Sequence, residues 1–458
     1  MVVAMVSGNN AAPVVNPFLE VINLLLQAAP FSNDDPEALH TETLLEGATV
    51  NGDAVLHAMM ATYGENGDFL RNKCAENIFS KATLQLLFKN GDTILHCAAR
   101  AGRYQMVSHL IDLARGGSSS NDDDSSRARV QKLLGTENEL KETVLHEAVR
   151  IGDNAMVELL LKEYPGLASH PKDGTSPLFL AILLQENNIV EPGGKKNIVE
   201  TLYNMSDKNL SYSGHKGQNA LHAAVLRGTG LTKKLLKWNK KLTTERDENG
   251  STPLHFAAAR YFDVVITHLG LIKPLEALAL KRSRESVCWH VLDANPAALY
   301  YADKDGLYPI HVAASAGAVG AVSIFVNKAP GCAGLRDAKR RTFLHVAVER
   351  GQVDVVRYAC SNILFSWILN MQDSAGNTAL HLAVQEGSLQ MFSVLFRNLQ
   401  VRLNLTNNNG KTPLDISHFK IPRGMHSIQN NEPKIHYALA LAGARNGSCH
   451  FQQSYTQQ

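Results

Sequence analysis

The 458-residue sequence has almost no excess of charge: 45 lysines and arginines stand against 43 aspartates and glutamates, a formal balance of +2. That leaves no global reason to expect nucleic acid as a partner, and any electrostatic role must come from local patches. No apolar run approaches the roughly 18 residues that a membrane-spanning helix needs, so no transmembrane helix is expected in this chain. Residues 1–18 have neither a basic start nor a sustained apolar core, and 18–29 is interrupted by Glu20 and Asn23, so no signal peptide is expected. The six cysteines, Cys74, Cys97, Cys288, Cys332, Cys360 and Cys449, form no CxxC pair, which suits a reducing compartment and a cytoplasmic location. The sequons at Asn204, Asn209, Asn404 and Asn446 are then not expected to carry glycans. Also missing are a glycine-rich phosphate loop, HExxH, GxSxG and paired-carboxylate spacing, so no catalytic, cofactor or metal site is expected and an enzyme is disfavoured.

What the sequence does have is recurrence. Thr93-Ile94-Leu95-His96, Thr143-Val144-Leu145-His146, Thr252-Pro253-Leu254-His255 and Thr378-Ala379-Leu380-His381 are copies of one phrase. With the histidine as phase marker, His57, His96, His146, Phe179, His222, His255, His311, His345, His381 and Asp415 mark ten copies, at gaps of 39, 50, 33, 43, 33, 56, 34, 36 and 34. The basal period of about 33 residues is that of ankyrin repeats. Each position has a physical task. Gly52, Gly91, Gly174, Gly217, Gly250, Gly306, Gly376 and Gly410 lie five residues before the marker, as turn signals at the tips of short hairpin fingers. The threonine can cap an inner helix, and Pro253, Pro309 and Pro413 suit its first position. Ala98-Ala99, Ala223-Ala224 and Ala313-Ala314 keep that helix thin for close stacking. Gly102, Gly152, Gly228, Gly317, Gly351 and Gly387 are expected to end it in a left-handed cap. An amphipathic outer helix follows, as at Val107, Leu110 and Ile111 or Phe392, Leu395 and Phe396.

One copy cannot bury both helices, whereas stacked copies make a continuous core; the expected fold is an all-α ankyrin-repeat solenoid with β-hairpin fingers over residues 41–420. Residues 1–40 precede it, and 421–458 hold a terminal cap, with a short helix expected over 433–442, and a polar tail. The long gaps place insertions near 111–136, 187–197 and 270–288. Of these, 116–126 reads as a disordered polar loop and 271–287 fits no repeat position. The Phe179 copy, with Gln185 in place of the capping glycine, and the His255 copy, with Tyr261 there, are expected weak joints.

Candidate functional residues follow from the repeat. Histidines in a row invite a metal reading, but neighbouring copies are too far apart to share an ion, so each is expected to order its own hairpin through local hydrogen bonds. Positions four and five after the marker hold Arg100, Arg150, Arg227, Arg260, Glu349-Arg350 and Gln385-Glu386. If they face a concave groove, they suit an acidic or carboxylate-bearing protein segment; otherwise they reach across to the next repeat or are solvated. Lys233, Lys234, Lys237, Lys240 and Lys241, interleaved with Leu231, Leu235, Leu236 and Trp238, are either a face for an anionic membrane or a wet face over core leucines. Ser119 and Ser120, each three before an aspartate, are candidate phosphorylation sites. Lys339-Arg340-Arg341 is too short to argue for nuclear import.

The runs LLEGATVNGD at 44–53, NPAALY at 295–300, DGLYPIHVAA at 305–314 and ALAGAR at 440–445, with the copy at 90–115, make the chain resemble plant ankyrin proteins of the accelerated-cell-death type, over residues 41–445. The resemblance implies a membrane-associated role in salicylate-linked defence and cell death, and a following PGG domain of several transmembrane helices. Here 446–458 are polar instead, so anchorage is not carried over. A truncated or spliced form is one expectation, competing with a full-length sibling for partners. Self-association with a membrane-anchored ankyrin relative, giving peripheral attachment at the plasma membrane or an endomembrane, is another.

Overall fold

Helices of seven or eight residues do not persist alone in water, so short inner helices must be held by their neighbours. The computed structural model describes residues 91–115, 123–171, 173–184, 197–207, 209–259, 286–419 and 431–447. Within them the inner helices are Ile94–Arg100 (α1), Val144–Ile151 (α4), Pro177–Leu184 (α6), Ala220–Arg227 (α8), Pro253–Ala259 (α10), Pro309–Ser315 (α12), Phe343–Glu349 (α14), Ala379–Gln385 (α16) and Pro413–Phe419 (α18). The outer helices are Tyr104–Arg115 (α2), Asn154–Glu163 (α5), Ile198–Met205 (α7), Thr229–Trp238 (α9), Val287–Ala294 (α11), Val319–Lys328 (α13), Val353–Ser361 (α15) and Leu389–Phe396 (α17). Asp123–Leu134 (α3) and Asn431–Leu441 (α19) complete the set. The copy at His57 lies outside the described residues.

The chain divides into two compact units, the first holding α1–α7 and the second α8–α19. In the first, α1 packs on α4 and α4 on α6, with α5 against α7 outside. In the second, α8, α10, α12, α14, α16 and α18 pack in succession, backed by α9, α11, α13, α15 and α17. The residues that recur around the marker form the core: Leu95, Ala98 and Ala99, then Leu145, Ala148 and Val149, then Leu380, Ala383 and Val384 are all buried. The division falls beside the Phe179 copy; Gln185 and Tyr261 lie outside the described residues.

The fingers are turns rather than strands. Among the described residues no strand forms, and a single antiparallel bridge joins Ser213 to Asn219. What shapes them is an Asp or Asn eight residues before the marker. Asp303 Oδ1, for example, accepts the Asp305 and Leu307 amides at 3.0 and 2.8 Å, and Asp247, Asp337, Asp373, Asn138 and Asn407 act alike. Neighbouring fingers then bond to each other, as where the Lys304 amide donates to the Asn249 carbonyl at 2.9 Å and the Asn408 amide to Ala375 at 3.0 Å. Where the fingers approach most closely, glycine at the tip leaves room for the next finger. Gly306 has φ +77°, and a β-carbon there would stand 2.7 Å from the Ala338 nitrogen. Two copies put other residues in that left-handed position, Lys141 at φ 59° and Arg340 at φ 58°.

Five of the six glycines expected to end inner helices have φ between 68° and 76°, but Gly228 is at 143° with ψ 179°, outside the left-handed region of a helix cap. Two insertions are re-drawn. Residues 123–126, read from sequence as disordered loop, begin helix α3, which lies against α2 and buries Val130, Leu133 and Leu134. Leu133 and Leu134 hold the place that Ala298-Leu299 and Cys332-Ala333 hold in short 3₁₀ turns elsewhere, so a repeat-building pair ends a longer helix here. The third insertion ends earlier than its expected limit. Ser286 caps α11, and Val287 and Cys288 already belong to the buried side of that outer helix, so the insertion separates the inner and outer helices of one copy. The loop at 191–196 lies outside the described residues. At the chain's end, α19 covers α17 and α18 through Ile435 and Leu439, which are buried, while Tyr437 and Leu441 are exposed.

Candidate functional site: histidines, arginines and the repeat surface

The marker histidine occupies the third helical position, where a capping box ordinarily places Glu or Gln. In the His96 copy the Thr93 amide donates to His96 Nδ1 at 3.1 Å and the Thr93 hydroxyl does so at 2.8 Å. Nδ1 is therefore an acceptor, and Nε2 carries the proton. That proton does not stay within the copy: Nε2 donates at 3.0 Å to the Glu142 carbonyl, the residue just before the next inner-helix cap. The same bond joins His146 to Thr175, His222 to Ser251, His255 to Leu307, His311 to Arg341, His345 to Asn377 and His381 to Lys411, at 2.8 to 3.2 Å. Local ordering, the reading from sequence, is half of the role; the other half ties one repeat to the next. Phe179 has no ring nitrogen to continue the series. At Asp415 the carboxylate keeps the capping half, accepting the Thr412 amide at 2.8 Å, and also accepts the Gly447 amide at 2.8 Å.

Burial lowers the pKa of all seven histidines, and in His222 it brings the value down to about 4 against weaker raising effects from the Ser251 carbonyl and Asp247. They are neutral at physiological pH. Among the described residues no group of three or more His, Cys, Asp or Glu is placed to hold a metal. Burial also pushes the Cys332 and Cys360 thiols up to about 12 and about 11, far from thiolate nucleophiles.

The arginine row is not one set. Arg100 donates to Asp92 of its own copy at 2.7 Å and reaches across to Glu147 of the next at 2.8 Å. Arg150 donates to the same Glu147 oxygen, Oε1, at 2.8 Å and to both Glu142 oxygens at 2.8 Å. Glu147 is 1% exposed. Burial would raise its pKa, but the Arg100 bond and charge, with those of Arg150, outweigh this and hold it below the usual carboxylate range. Asp92 is held low in the same way, by Asn138 and Arg100 against burial. These two guanidinium groups thus hold a buried carboxylate and join two repeats. Arg227 is half-buried at the end of α8, whereas Arg350 and Gln385 are exposed where α14 and α16 end. Arg260, Ser119 and Ser120 lie outside the described residues. Of the lysine run, Leu235 and Leu236 are core, and Lys233, Lys237, Lys240 and Lys241 form an exposed basic face. Glu147 was missed from sequence, although its place immediately after His146 on a packed inner helix is visible there.

A stack of two-helix repeats with stacked turns, bound through inward histidines, is the ankyrin architecture. Ankyrin-repeat family models match residues 90–124 as a single repeat, 189–267 and 276–366 as three-copy arrays and 362–417 as part of a many-copy array. Together these cover more than half of the chain, which belongs to the ankyrin-repeat family. It is similar to Rabankyrin-5 of Mus musculus, 28% identical over 40% of this chain and 13% of that protein. It is also similar to the human transient receptor potential cation channel subfamily A member 1, 26% identical over 57% of this chain and 21% of that one. The chain thus spans about a fifth or less of these relatives' length. Among the described residues no helix is long and apolar enough to cross a membrane.

Proposed function

We propose that this chain is a non-enzymatic scaffold that captures protein partners and acts in plant defence and cell-death regulation. The observation that carries the scaffold reading is the use made of the interior polar groups. The seven histidines are taken up in tying repeat to repeat, Glu147 in an ion pair that joins two copies and Asp92 in one within its own copy, which leaves recognition to the exposed helix ends and turns. Membership of the ankyrin-repeat family supports partner binding, and the plant-defence assignment rests on the resemblance of the runs at 44–53, 295–300, 305–314 and 440–445. Proximity labelling of the tagged chain in plant cells, with and without salicylate, tests it. Salicylate-dependent enrichment of a defined set of proteins is expected; labelling no different from a free tag would overturn it.

The exposed lysines of α9 and the turn after it favour a second reading, peripheral attachment to an anionic membrane or to a membrane-anchored ankyrin relative. Carbonate washing of membrane fractions separates the two. Recovery in the soluble fraction supports the free scaffold, and release by carbonate supports peripheral attachment.

A further inference from the structure

The outer helices of the second unit carry a feature that the arginine row does not. The end of α15, the start and end of α17 and the residues after each helix enclose an open groove of about 1220 Å³. Half-buried Cys360, Leu389, Ser393 and Val394 line it. So do Ile363 and Leu399, which are 78% and 101% exposed, a cost in exposed apolar surface with no return inside the fold.

The groove is preformed. Asn362 Oδ1 accepts the Leu364 amide at 3.0 Å, Asn398 Oδ1 accepts the Gln400 amide at 2.9 Å, and Asn398 Nδ2 donates to the Cys360 carbonyl at 2.8 Å. These bonds fix the backbone on which Ile363 and Leu399 stand, so a ligand would not have to order them. Its charge has one sign. Arg357 and Arg397 line it, and among the described residues no carboxylate does. Arg357 touches Asp354 at 2.5 Å, but both side chains are nearly half exposed, and such solvated pairs exchange readily for a better-placed acid.

We propose that this groove binds a short acidic segment of a partner protein, with an apolar side chain seated between Ile363 and Leu399 and flanking carboxylates on Arg357 and Arg397. The proposal rests on the scaffold reading and names the partner chemistry and the surface. Guanidinium forks match carboxylates in two-point bonds, and the half-buried groove lining offers the apolar residue a place out of water.

The test is selection of a random displayed peptide library on the full chain, followed by fluorescence anisotropy with the selected peptides. Enriched peptides should carry Asp or Glu within a few positions of Leu, Ile or Phe. R357E combined with R397E should weaken them by about tenfold or more, increasingly so at low salt. I363S combined with L399S should weaken them several-fold, while R350E, on the inner helices, should change nothing. All these side chains are exposed, so the thermal midpoint should not move. No enriched peptide, enrichment without acidic residues, or binding indifferent to R357E/R397E overturns the proposal. If cellular partners are still labelled by the R357E/R397E chain as by the wild type, the groove falls and the scaffold stands; if the wild type labels none, the scaffold reading itself falls.

Discussion

Acid should loosen the second unit well above the pH at which carboxylates titrate. His222 is buried and neutral, accepting the Asn219 amide at Nδ1 and donating to the Ser251 carbonyl from Nε2 at 3.1 Å. Its pKa falls from 6.5 to about 4 on folding. Above pH 6.5 neither state holds the extra proton and the contribution is complete. Between 6.5 and about 4 the unfolded chain binds it and the folded one does not, so stability falls as pH falls; below about 4 the contribution is gone. The full loss is about 3 kcal/mol, of which roughly 2 kcal/mol has been lost by pH 5. His255, His311, His345 and His381 in the same unit are lowered too and add to it. The chain's three tryptophans, Trp238, Trp289 and Trp367, all lie in the second unit, so urea unfolding followed by their fluorescence at pH 7.5 and pH 5 reads that unit alone. His222→Gln keeps an acceptor and a donor without titrating. It should lose about 2 kcal/mol less than wild type between the two conditions. Equal losses in both proteins, or a wild-type midpoint that does not move, would refute the reasoning.

Arg340→Gly and Lys141→Gly relieve left-handed strain at exposed turn tips and should each stabilise by about 0.5–1 kcal/mol in chemical unfolding, whereas Gly306→Ala meets the Ala338 backbone and should cost at least about 1 kcal/mol. Reversing Arg150, which from sequence alone would be a binding change, should also lower the melting temperature. Removing both Arg100 and Arg150 strands the Glu147 charge and should cost about 3 kcal/mol or more, much of it restored by adding Glu147→Gln, as differential scanning calorimetry would show. Ile435→Ser with Leu439→Ser should uncover the end of the stack and cost about 3 kcal/mol or more in urea unfolding, with new binding of an apolar dye.

The fold was legible because every copy repeats one set of local requirements: a capping residue, a histidine three later, small residues on the inner helix and glycine at a tip. What the copies share with one another was harder to see. The sequence places His96 three residues from Thr93, but nothing in that spacing shows that its second nitrogen finds Glu142, 46 residues on. Arg100 and Arg150 looked alike and available because Glu147 comes within reach of Arg100 only when the inner helices stack, and Asp92 and Glu142 reach Arg100 and Arg150 only when each finger folds back beside its own helix. Helix α3 was hidden by composition. Its polar start reads as loop, and only Val130, Leu133 and Leu134 point to the core. The groove on α15 and α17 gave little local signal, since Ile363 and Leu399 are single apolar residues in ordinary-looking turns.

The histidine bond has a direction. The imidazole always belongs to the earlier copy and the carbonyl to the later one. Each such copy therefore presents, toward the copy that follows it, a ring N–H that needs a backbone carbonyl. A stack interrupted in the middle leaves an unanswered donor at its later end but only a carbonyl, easily hydrated, at its start. The Asp415 copy lacks that asymmetry, because a carboxylate keeps the cap and has no proton left to place.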